Sequence, residues 1–484
     1  MLILQKESKQ ALYEQIYDQL KEQILMGKLA ENSTLPSTRS MAKQLQVSRN
    51  TVESAYHQLC SEGYLSSKAC SGYRVEKIQS NLIYDNPHHD YHYRDEHIVS
   101  EEEKNEQGTA EIQISFQYGR LEFADFPIRT YRRIMNQILL SSEITNISAY
   151  NNRIGEPELR QEIMKYLYAS RGVRCTPEQI ILCSGMPACI SLISQLMMKH
   201  TAEIALEEPC YDTVRHTFRN HGLGIIPVDV GKDGITLEIL EKSGAKAVYV
   251  TPSHQFPTGV VMPVNKRLAL IEWAEQNDAF VIEDDYDSEL RYNSKPIPSL
   301  QSMDRKGRVI YINTFSKAFA PGMRLSFMVL PAALMEEYRL SFGRYNCCVP
   351  WLEQKIMSIF MKEGHWVRHL RKINVINKKR HDTLISAIHT SMGEKVRIYG
   401  RNGGLHIILE VKNGMKEGEL ISTALAAGIK VYPVSGYYAD YSRAKGNQVL
   451  IGYSSLSEAE IETGVRILNE VWFHDGHNRK MKAL

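Results

Sequence analysis

A lysine that follows a buried strand is the residue of this chain with the clearest chemical potential. The apolar run Val309–Ile312 is typical of a buried parallel strand, and the polar turn Thr314–Lys317 follows it. Pro321-Gly322 then breaks the chain, and Arg324 comes next. The lysine amine can form a Schiff base with a carbonyl group, while the turn hydroxyls, turn amides and arginine can hold a phosphate. An isolated S-x-K motif is more often an ordinary surface turn, so other stretches must decide.

Carboxylates and a tyrosine follow a second predicted strand. The run Phe280–Ile282 leads into the acidic stretch Glu283–Glu289, which taken alone would also suit a metal ion. The pair Asp284-x-Tyr286 is what a pyridine ring requires, because the carboxylate keeps a proton on the ring nitrogen and the phenol bonds the ring oxygen. The stretch therefore favours a pyridine cofactor over a metal.

Two more strand ends complete the set of candidate residues. The turn Ser184–Met186 stands between the run Ile180–Cys183 and a helix, where backbone amides can bind a phosphate at the helix N-terminus. Tyr211 follows another apolar run and can stack on a flat ring, although a half-buried loop tyrosine is the commoner outcome. Together with Lys317 and Asp284, these residues predict a site for pyridoxal 5′-phosphate (PLP).

An α/β scaffold must position these residues. Between residues 112 and 484, helical patterns alternate with short apolar runs, which predicts a mostly parallel sheet covered by helices. The polar clusters should gather at the carboxyl ends of the strands, where open α/β sheets bind ligands. The predicted strands are Ile180–Cys183, Glu203–Leu206, Ala247–Val250, Phe280–Ile282 and Val309–Ile312. A loop fixed by two prolines and a glycine, Thr251–Gly259, follows the third strand.

Residues 1–77 predict a winged helix-turn-helix. Apolar residues at four-residue spacing define a first helix that ends near Met26, and Ser37 or Thr38 caps a short second helix. Ser48 caps a third helix that ends at Gly63. Two short alternating strands around the turn Cys70–Gly72 complete the motif.

The start of the third helix carries side chains that suit DNA. Arg49 suits guanine edges, Asn50 suits adenine edges, and Thr51 suits phosphate or a thymine methyl group. Arg39, at the start of the second helix, is placed to contact the DNA backbone. A helical module for protein contacts is the alternative, since residues 1–77 hold ten Lys/Arg and eight Asp/Glu and therefore carry little net charge.

Composition indicates a cytoplasmic protein of two or three domains. The 484 residues are 43% hydrophobic and 24% charged, with a net charge of +2, so any DNA contact must come from a local patch. The chain begins without a signal peptide, contains no apolar run that could span a membrane, and shows no CxxC pairing among its 8 cysteines. We therefore expect reduced thiols and no membrane association.

Residues 78–111 have the composition of a flexible acidic linker. Positions 81–111 hold nine Asp/Glu and two Lys/Arg, and apolar periodicity is almost absent. The histidines of this stretch raise the alternative of a metal site, but clustered histidines in a linker lack the surrounding groups that fix ligand geometry. We therefore predict no metal, and a division into residues 1–77, 78–111 and 112–484.

The sequence also resembles two known families joined in one chain. LPSTRSMAKQLQVSRNTVESAYHQLCSEGYL, followed by SGYRV, resembles the GntR-type winged helix over nearly all of residues 10–77. TPSHQFPTG, IEDDYDSE and TFSKAFAPGMRL are similar to stretches of the MocR/GabR family, whose members fuse this winged helix to a fold-type I aminotransferase-like domain. With YNNRIGEPELR and RGVRCTPEQIILCSG, the resemblance covers nearly the whole chain except the linker.

The resemblance implies a PLP-dependent transcriptional regulator and assigns a role to each candidate residue. Lys317 would hold the cofactor covalently, and its ring would be contacted by Asp284, Tyr286 and Tyr211. The phosphate would be held by Ser184, Gly185, Met186, Thr314, Ser316 and Arg324, and by Tyr150 from the other subunit of a head-to-tail homodimer. Double-stranded operator DNA would be bound by Arg39, Ser48, Arg49, Asn50 and Thr51, with the wing near Gly72 on the backbone.

One departure from the family pattern bears on the effector. Aminotransferases hold the substrate carboxylate with an arginine, because a guanidinium binds a carboxylate through two hydrogen bonds. The positions that match are Ser455 and Thr213, and Arg401 is a candidate substitute. A site without the arginine suits a sensor of an amine without an α-carboxylate, of a small peptide or of PLP itself. Family members sense γ-aminobutyrate, taurine, a D-alanyl dipeptide or PLP.

Two other functions remain open at this point. An active aminotransferase with a vestigial winged helix predicts steady formation of a keto product and no operator binding. A plain GntR-type repressor whose large domain only dimerises predicts operator binding that PLP does not change. The complete set of Lys317, Asp284 and Tyr286 argues against the second, and Arg49–Thr51 with the missing arginine argues against the first.

Overall fold

The computed structural model describes residues 2–5, 8, 10–68, 72–77, 112–292 and 297–473. The chain divides into two compact units, Met1–Gly108 and Thr109–Leu484. The proposed linker 78–111 lies outside the described residues, and so do the wing residue Cys70 and the last residues of the chain. The domain boundaries therefore stay predictions. Among the described residues, every helix is too short or too polar to cross a lipid bilayer.

The N-terminal unit is a winged helix-turn-helix. Its elements are α1 (Leu12–Leu25), α2 (Thr38–Leu45), α3 (Arg49–Ser61), β1 (Leu65–Lys68) and β2 (Gly72–Val75). The hydroxyl of Ser37 accepts a hydrogen bond from the Ser40 amide, and that of Ser48 accepts one from the Thr51 amide, so both predicted caps form. The inward faces of the helices bury Ile16, Val52 and Tyr56 in one core.

The large unit is built on an eight-stranded sheet. In chain order its strands are β4 (Ile180–Cys183), β5 (Glu203–Glu208), β6 (Gly224–Gly231), β7 (Gly234–Ile235), β8 (Ala247–Val250), β9 (Phe280–Asp284), β10 (Val309–Thr314) and β11 (Ser326–Val329). They are ordered β4-β11-β10-β9-β8-β5-β6-β7, and the neighbours from β10 to β6 are parallel. The mostly parallel sheet and its apolar strands are therefore as the sequence predicts.

Three strands of this sheet, β6, β7 and β11, have no counterpart in the sequence prediction. Strand β11 inserts between β4 and β10 and is antiparallel to both. It follows β10 through residues 315–325, a connection that carries Lys317 and contains no α-helix. Consequently β4, β10, β9, β8 and β5 all end at the same edge of the sheet.

Helices and a second sheet surround this core. The helices are α4 (Ile128–Leu139), α5 (Pro157–Arg171), α6 (Met186–Met197), α7 (Asp212–Asn220), α8 (Leu237–Ser243), α9 (Val264–Gln276), α10 (Leu300–Met303), α11 (Ala332–Phe342), α12 (Trp351–Lys362), α13 (His365–Met392), α14 (Glu417–Ala426) and α15 (Glu458–Phe473). The second sheet is antiparallel and joins β12 (Val396–Tyr399), β13 (His406–Val411), β15 (Tyr432–Pro433) and β16 (Gln448–Gly452). Strand β3 (Ile114–Ser115) pairs with β14 (Ile429–Lys430), which ties the start of this unit to its C-terminal part.

Candidate functional site

A cavity of about 250 Å³ opens at the carboxyl edge of the large sheet. It brings together most of the residues that the sequence predicts for the cofactor. The predicted residues that line it are Met186, Tyr211, Asp284, Tyr286, Thr314, Ser316, Lys317 and Arg324. The further lining residues, which sequence reasoning missed, are Tyr118, Pro187, Tyr249, Thr251 and Phe256.

The amine of Lys317 lies over an aromatic ring inside this cavity. Its Nζ is 4.1 Å from the centroid of the Tyr118 ring. Burial lowers the pKa of Lys317 to about 8, and the carboxylates of Asp287 and Asp284 oppose this change. A larger fraction of the amine is therefore uncharged at neutral pH than in an ordinary lysine, which is the form that attacks a carbonyl group.

Asp284, at the end of β9, is a buried carboxylate with one oxygen in use. Its Oδ2 accepts a hydrogen bond from the Tyr249 hydroxyl, while its Oδ1 is buried and has no hydrogen-bond partner. Burial raises the pKa of Asp284 to about 7. An N–H donor placed in the cavity would satisfy Oδ1 and return the carboxylate to its charged form.

Two tyrosines frame the space in front of Asp284. The Tyr286 hydroxyl donates to the backbone carbonyl of His254 at 2.9 Å, and burial raises the pKa of Tyr286 well above its ordinary value. Tyr211 precedes helix α7, remains partly exposed, and meets the ring of Phe256 edge-on at a centroid distance of 5.5 Å. A flat ring in this cavity would therefore have aromatic walls.

The other end of the cavity, called the phosphate cradle below, contains groups that could bind a phosphate. Helix α6 begins at Met186, directly after Gly185, whose φ is +86°. A Cβ at Gly185 would overlap the guanidinium of Arg324, so the glycine is what lets this cation approach the helix N-terminus. The Thr314 hydroxyl donates to the Ser316 hydroxyl at 3.0 Å and accepts from the Ser316 amide at 3.1 Å. Ser184, just before Gly185, is half-buried and does not line the cavity.

Tyr150 does not line the cavity. Its side chain is 89% exposed. Any contact that Tyr150 makes with a phosphate must therefore involve a site other than the cavity of its own subunit.

The sequence held a signal for one of the residues that it did not single out. Tyr249 lies in the buried apolar run of β8, where a phenol must find a hydrogen-bond partner, and that partner is Asp284. Tyr118 is followed by Gly119, whose φ is +83° and where a Cβ would lie 2.7 Å from Nζ of Lys317. This close approach comes from the fold, so the sequence holds no comparable signal for Tyr118.

The acidic stretch Glu283–Glu289 has a separate partner for each of its carboxylates. Glu283 accepts from the amides of Leu300 and Gln301 at the start of α10. The others contact arginine, histidine or tyrosine side chains: Asp285 with Arg171, Asp287 with His254, and Glu289 with Tyr166. Within the described ranges, no group of three or more His, Cys, Asp or Glu is arranged to hold a metal ion.

The positions that match the substrate arginine of aminotransferases contain no cation in this structure. Ser455 and Thr213 are half-buried, and Arg401 is exposed and does not line the cavity. The guanidinium of Arg380 contacts the backbone carbonyl of Ser454 at 3.0 Å, but it is also bonded to Asp125 at 2.7 Å. Its charge is thus already neutralised.

The predicted DNA-reading residues share one region of the N-terminal unit. Ser48, Arg49 and Asn50 are exposed at the start of α3, and Arg39 is exposed on α2. Arg49 is 3.7 Å from Glu53, one helical turn away, and this exposed pair is weak enough to open for a phosphate or a base. Ser48 caps the helix, so its contact with DNA would compete with the Thr51 amide.

Comparison with known proteins assigns each of the two units to a family. The family of bacterial regulatory proteins named gntR matches residues 12–75, and the aminotransferase class I and II family matches residues 112–468. An uncharacterised HTH-type transcriptional regulator of Bacillus subtilis, YdeL, is 36% identical over 95% of this chain and 96% of its own length. The probable rhizopine catabolism regulatory protein MocR of Rhizobium meliloti is 28% identical over 98% and 96%.

A solved aminotransferase shares the fold of the large unit. The kynurenine aminotransferase of Pyrococcus horikoshii, in complex with PMP, is 26% identical, has a TM-score of 0.69, and is matched over 77% of this chain and 93% of its own. The chain is thus a GntR-type winged helix fused to an aminotransferase-like unit. It belongs to the MocR/GabR family of transcriptional regulators, as the sequence resemblance predicted.

The cofactor of such a regulator is PLP, and the cavity fits it. Asp284 offers an unpaired buried oxygen where a protonated ring nitrogen would donate, Lys317 offers the amine, and Arg324 with the start of α6 offers the phosphate cradle. A transcriptional regulator with an intact winged helix is favoured over an aminotransferase whose winged helix is vestigial.

Proposed function

We propose that Lys317 holds PLP covalently, that Asp284 accepts a hydrogen bond from the ring nitrogen, and that Tyr286 and Tyr211 contact the ring. The observation that carries this assignment is the unpaired Oδ1 of Asp284, because a buried carboxylate oxygen without a donor costs free energy that a ring N–H recovers. When bound, PLP supplies an aldehyde that condenses with amines and a ring that draws electrons from the condensed carbon.

We assign the phosphate to the turn Ser184–Met186, to Thr314 and Ser316, and to Arg324. Arg324 adopts a left-handed backbone conformation with φ of +50°. Such a conformation costs a residue with a side chain roughly 1–3 kcal/mol. A cost of this size supports the proposal that the position of the guanidinium matters for phosphate binding.

The effector we propose is an amine that lacks an α-carboxylate. The cations that line the described cavity are Lys317 and Arg324, and the cofactor uses both. The lining of the cavity is rich in aromatic side chains, among them Phe256 and Tyr286, which pack in one cluster. An amine with an apolar body gains from this lining, whereas a carboxylate would be desolvated there without a partner. PLP itself is the second candidate signal.

A homodimer is the assembly that the surface of the large unit supports. Leu140 and Tyr150 are each 89% exposed, and Leu340 and Tyr345 are exposed as well. The two segments adjoin, because the Asn151 amide donates to the carbonyls of Cys347 and Val349. Exposed apolar groups on adjoining segments are typical of an interface. We infer that a second copy covers them and brings its Tyr150 to the phosphate of this chain.

The winged helix then reads operator DNA through Arg39, Arg49, Asn50 and Thr51, with Gly72 of the wing near the backbone. Two copies in a dimer would read two half-sites. Effector binding at Lys317 changes the affinity of the dimer for its operator by favouring one of two states.

The first experiment is a titration of the purified full-length protein with PLP and then with a panel of amines and amino acids, followed by visible absorption. A cofactor band is expected that is absent in Lys317→Ala and present in the control Lys372→Ala, which changes an exposed lysine of α13. Carboxylate-free amines should shift the band once and leave it shifted. A band that survives in Lys317→Ala contradicts the assignment, and continuous release of a keto product would identify an enzyme.

Operator recognition is tested by selecting duplexes from a randomised pool with the PLP-loaded protein. The selected DNA should bind the Asn50→Ala variant at least about tenfold more weakly, since one bidentate base contact is lost. Glu22→Ala, in the same unit but on α1, is the control. Equal binding by the Asn50 variant and the control would remove α3 as the reading helix.

A further inference from the structure

A second cavity lies behind one wall of the cofactor cavity. It measures about 290 Å³ and is lined mainly by two loops and a glycine turn. Its lining residues include Ser253, His254, Asp287, Arg291 and Asn402. The same two loops serve both cavities, because Thr251, Phe256, Asp284 and Tyr286 line the cofactor side.

The cavity contains a cation without a counter-ion. Arg291 is half-buried, and its Nη2 donates to the backbone carbonyl of Ser253 at 2.8 Å. In the part of the chain that the structure describes, no carboxylate lies within ion-pair distance of Arg291. The nearby acids are already paired, Asp285 with Arg171 at 2.7 Å and Asp287 with His254 at 2.7 Å. Burial and the neighbouring charge of Arg171 lower the pKa of the Arg291 guanidinium, and the carboxylates of Asp285 and Asp287 oppose this change only in part.

A second polar group of this cavity also has an unused bonding position. His254 is 5% exposed, its Nδ1 contacts Asp287, and its Nε2 is buried without a hydrogen-bond partner. The ring fits against Gly404, where a Cβ would overlap it. The guanidinium of Arg291, beside this cavity, is suited to a compact anion with two or more oxygens.

We propose that this cavity is a binding site for a small carboxylate or phosphate anion, held by the guanidinium of Arg291. The shared chemistry is a delocalised anionic oxygen group. The site is distinct from the phosphate cradle at Arg324, which lies in the other cavity.

Occupation of the second cavity is coupled to the cofactor side through His254. The backbone carbonyl of His254 accepts the hydroxyl of Tyr286, and Tyr286 faces the cofactor cavity. An anion that fixes the His254 loop therefore fixes the acceptor that holds the Tyr286 hydroxyl. By reciprocity, the anion changes PLP affinity by the same factor as PLP changes anion affinity. This coupling rests on the proposed function, whereas the binding of the anion does not.

The test is calorimetric titration of the PLP-loaded full-length protein, in which PLP fills the cradle at Arg324, with inorganic phosphate and separately with malonate. Saturable binding of at least one probe is expected. Arg291→Gln should weaken it at least about tenfold, since a charge-assisted bidentate contact is lost. The matched control is Arg305→Gln, which changes an exposed arginine of the same unit outside both cavity linings and should bind as the wild type does.

Each outcome of this titration either supports the proposed anion site or contradicts it. Phosphate binding alone identifies a phosphate ligand, and malonate binding alone a carboxylate ligand. No saturable binding of either probe, or undiminished binding by Arg291→Gln, overturns the site. If Arg291→Gln does not fold, Arg291→Lys keeps the charge but loses the planar fork, and its affinity for the anion must then be lower than that of the wild type. The coupling is measured as a change of about fivefold in the PLP dissociation constant at saturating anion. Anion binding without that change retains the site and removes the coupling.

Discussion

Two consecutive carboxylates belong to two different regions of the large unit. Asp284 lines the cofactor cavity, whereas Asp285 is buried in the protein core. Asp285 accepts two hydrogen bonds from Arg171, at 2.7 and 2.9 Å, and a third from the Tyr311 hydroxyl at 2.7 Å. Burial alone would raise its pKa, but the Arg171 guanidinium and these donors outweigh burial and lower it. Asp284 has one phenol donor and an empty Oδ1, and burial raises its pKa to about 7.

The difference shows how a structural carboxylate can be told from one that awaits a ligand. Both side chains are buried and both lie at the end of β9, so burial does not distinguish them. What distinguishes them is whether every oxygen has a donor within the protein. The completed group stabilises the fold, and the incomplete one stores free energy that a ligand can release.

The largest effect should follow from breaking the completed pair. We expect Asp285→Asn to lower the free energy of unfolding by roughly 3–5 kcal/mol, because Arg171 would remain buried without a counter-ion. Urea unfolding followed by tryptophan fluorescence measures this, since all 4 tryptophans lie in the large unit. Replacing both partners, as Arg171→Met with Asp285→Leu, should recover much of the loss. Equal losses in the single and double variants would contradict the argument.

Asp284→Asn should separate stability from cofactor binding. PLP affinity should fall roughly 10- to 100-fold, because a charge-assisted hydrogen bond to the ring nitrogen is lost. The PLP-free protein should become more stable at pH 8. The folded pKa of Asp284 lies above its unfolded value, so the wild type loses stability as pH rises from about 4 to about 7, by at most roughly 4 kcal/mol.

The measurement is melting of PLP-free wild type and variant at several pH values. The stabilisation by Asp284→Asn should be present at pH 8 and nearly vanish at about pH 4, where the wild-type carboxyl is protonated in the folded state and only about half ionised in the unfolded state. A variant that is less stable than the wild type at pH 8 would show that the charge of Asp284 has a partner in the folded protein.

The sequence predicted acidic residues at the end of a buried strand and assigned Asp284 to the cofactor, but it did not predict that Asp285 pairs with Arg171 in the core. The pattern Asp284-x-Tyr286 and the apolar runs were sufficient to place the cofactor residues at one edge of a parallel sheet. Asp285 could not be distinguished from Asp284, because Arg171 is far away in the chain and only the fold brings it to this carboxylate. The absence of an arginine at Ser455 could be read from the sequence, whereas the aromatic lining of the cavity, with Tyr118 and Phe256, required the structure.

Strand β11 and Tyr118 escaped prediction for a related reason. The run Ser326–Val329 is short and has no helix before it, so the periodicity cannot show that it inserts between β4 and β10. Tyr118 comes from the start of the large unit and reaches Lys317 through tertiary packing alone. Local patterns predict elements and their ends, and contacts between distant segments require the structure.

A smaller but specific effect is expected in the pH dependence of PLP attachment to Lys317. The attacking amine must be uncharged, and burial lowers the pKa of Lys317 to about 8. The rate of attachment to the PLP-free protein should therefore rise with pH and level off just above about 8. Nα-acetyl-lysine under the same conditions is the control and should keep rising toward its ordinary pKa of about 10.4. The same midpoint for both would show that the cavity does not change the amine.

The finest test compares two phenols that donate to the two carboxylates. Tyr249→Phe removes the donor to Asp284, and Tyr311→Phe removes a donor to Asp285, so each deletes one hydroxyl from a buried strand. We expect Tyr249→Phe to weaken PLP binding about fivefold, because the carboxylate that faces the ring nitrogen becomes harder to ionise, the loss of one hydrogen bond being about 1 kcal/mol. Tyr311→Phe should leave PLP affinity unchanged and lower the free energy of unfolding by about 1 kcal/mol. PLP titrations and urea unfolding of both variants give the four numbers. If both variants lose PLP affinity equally, Asp284 and Asp285 act as one unit and the division between cavity and core does not hold.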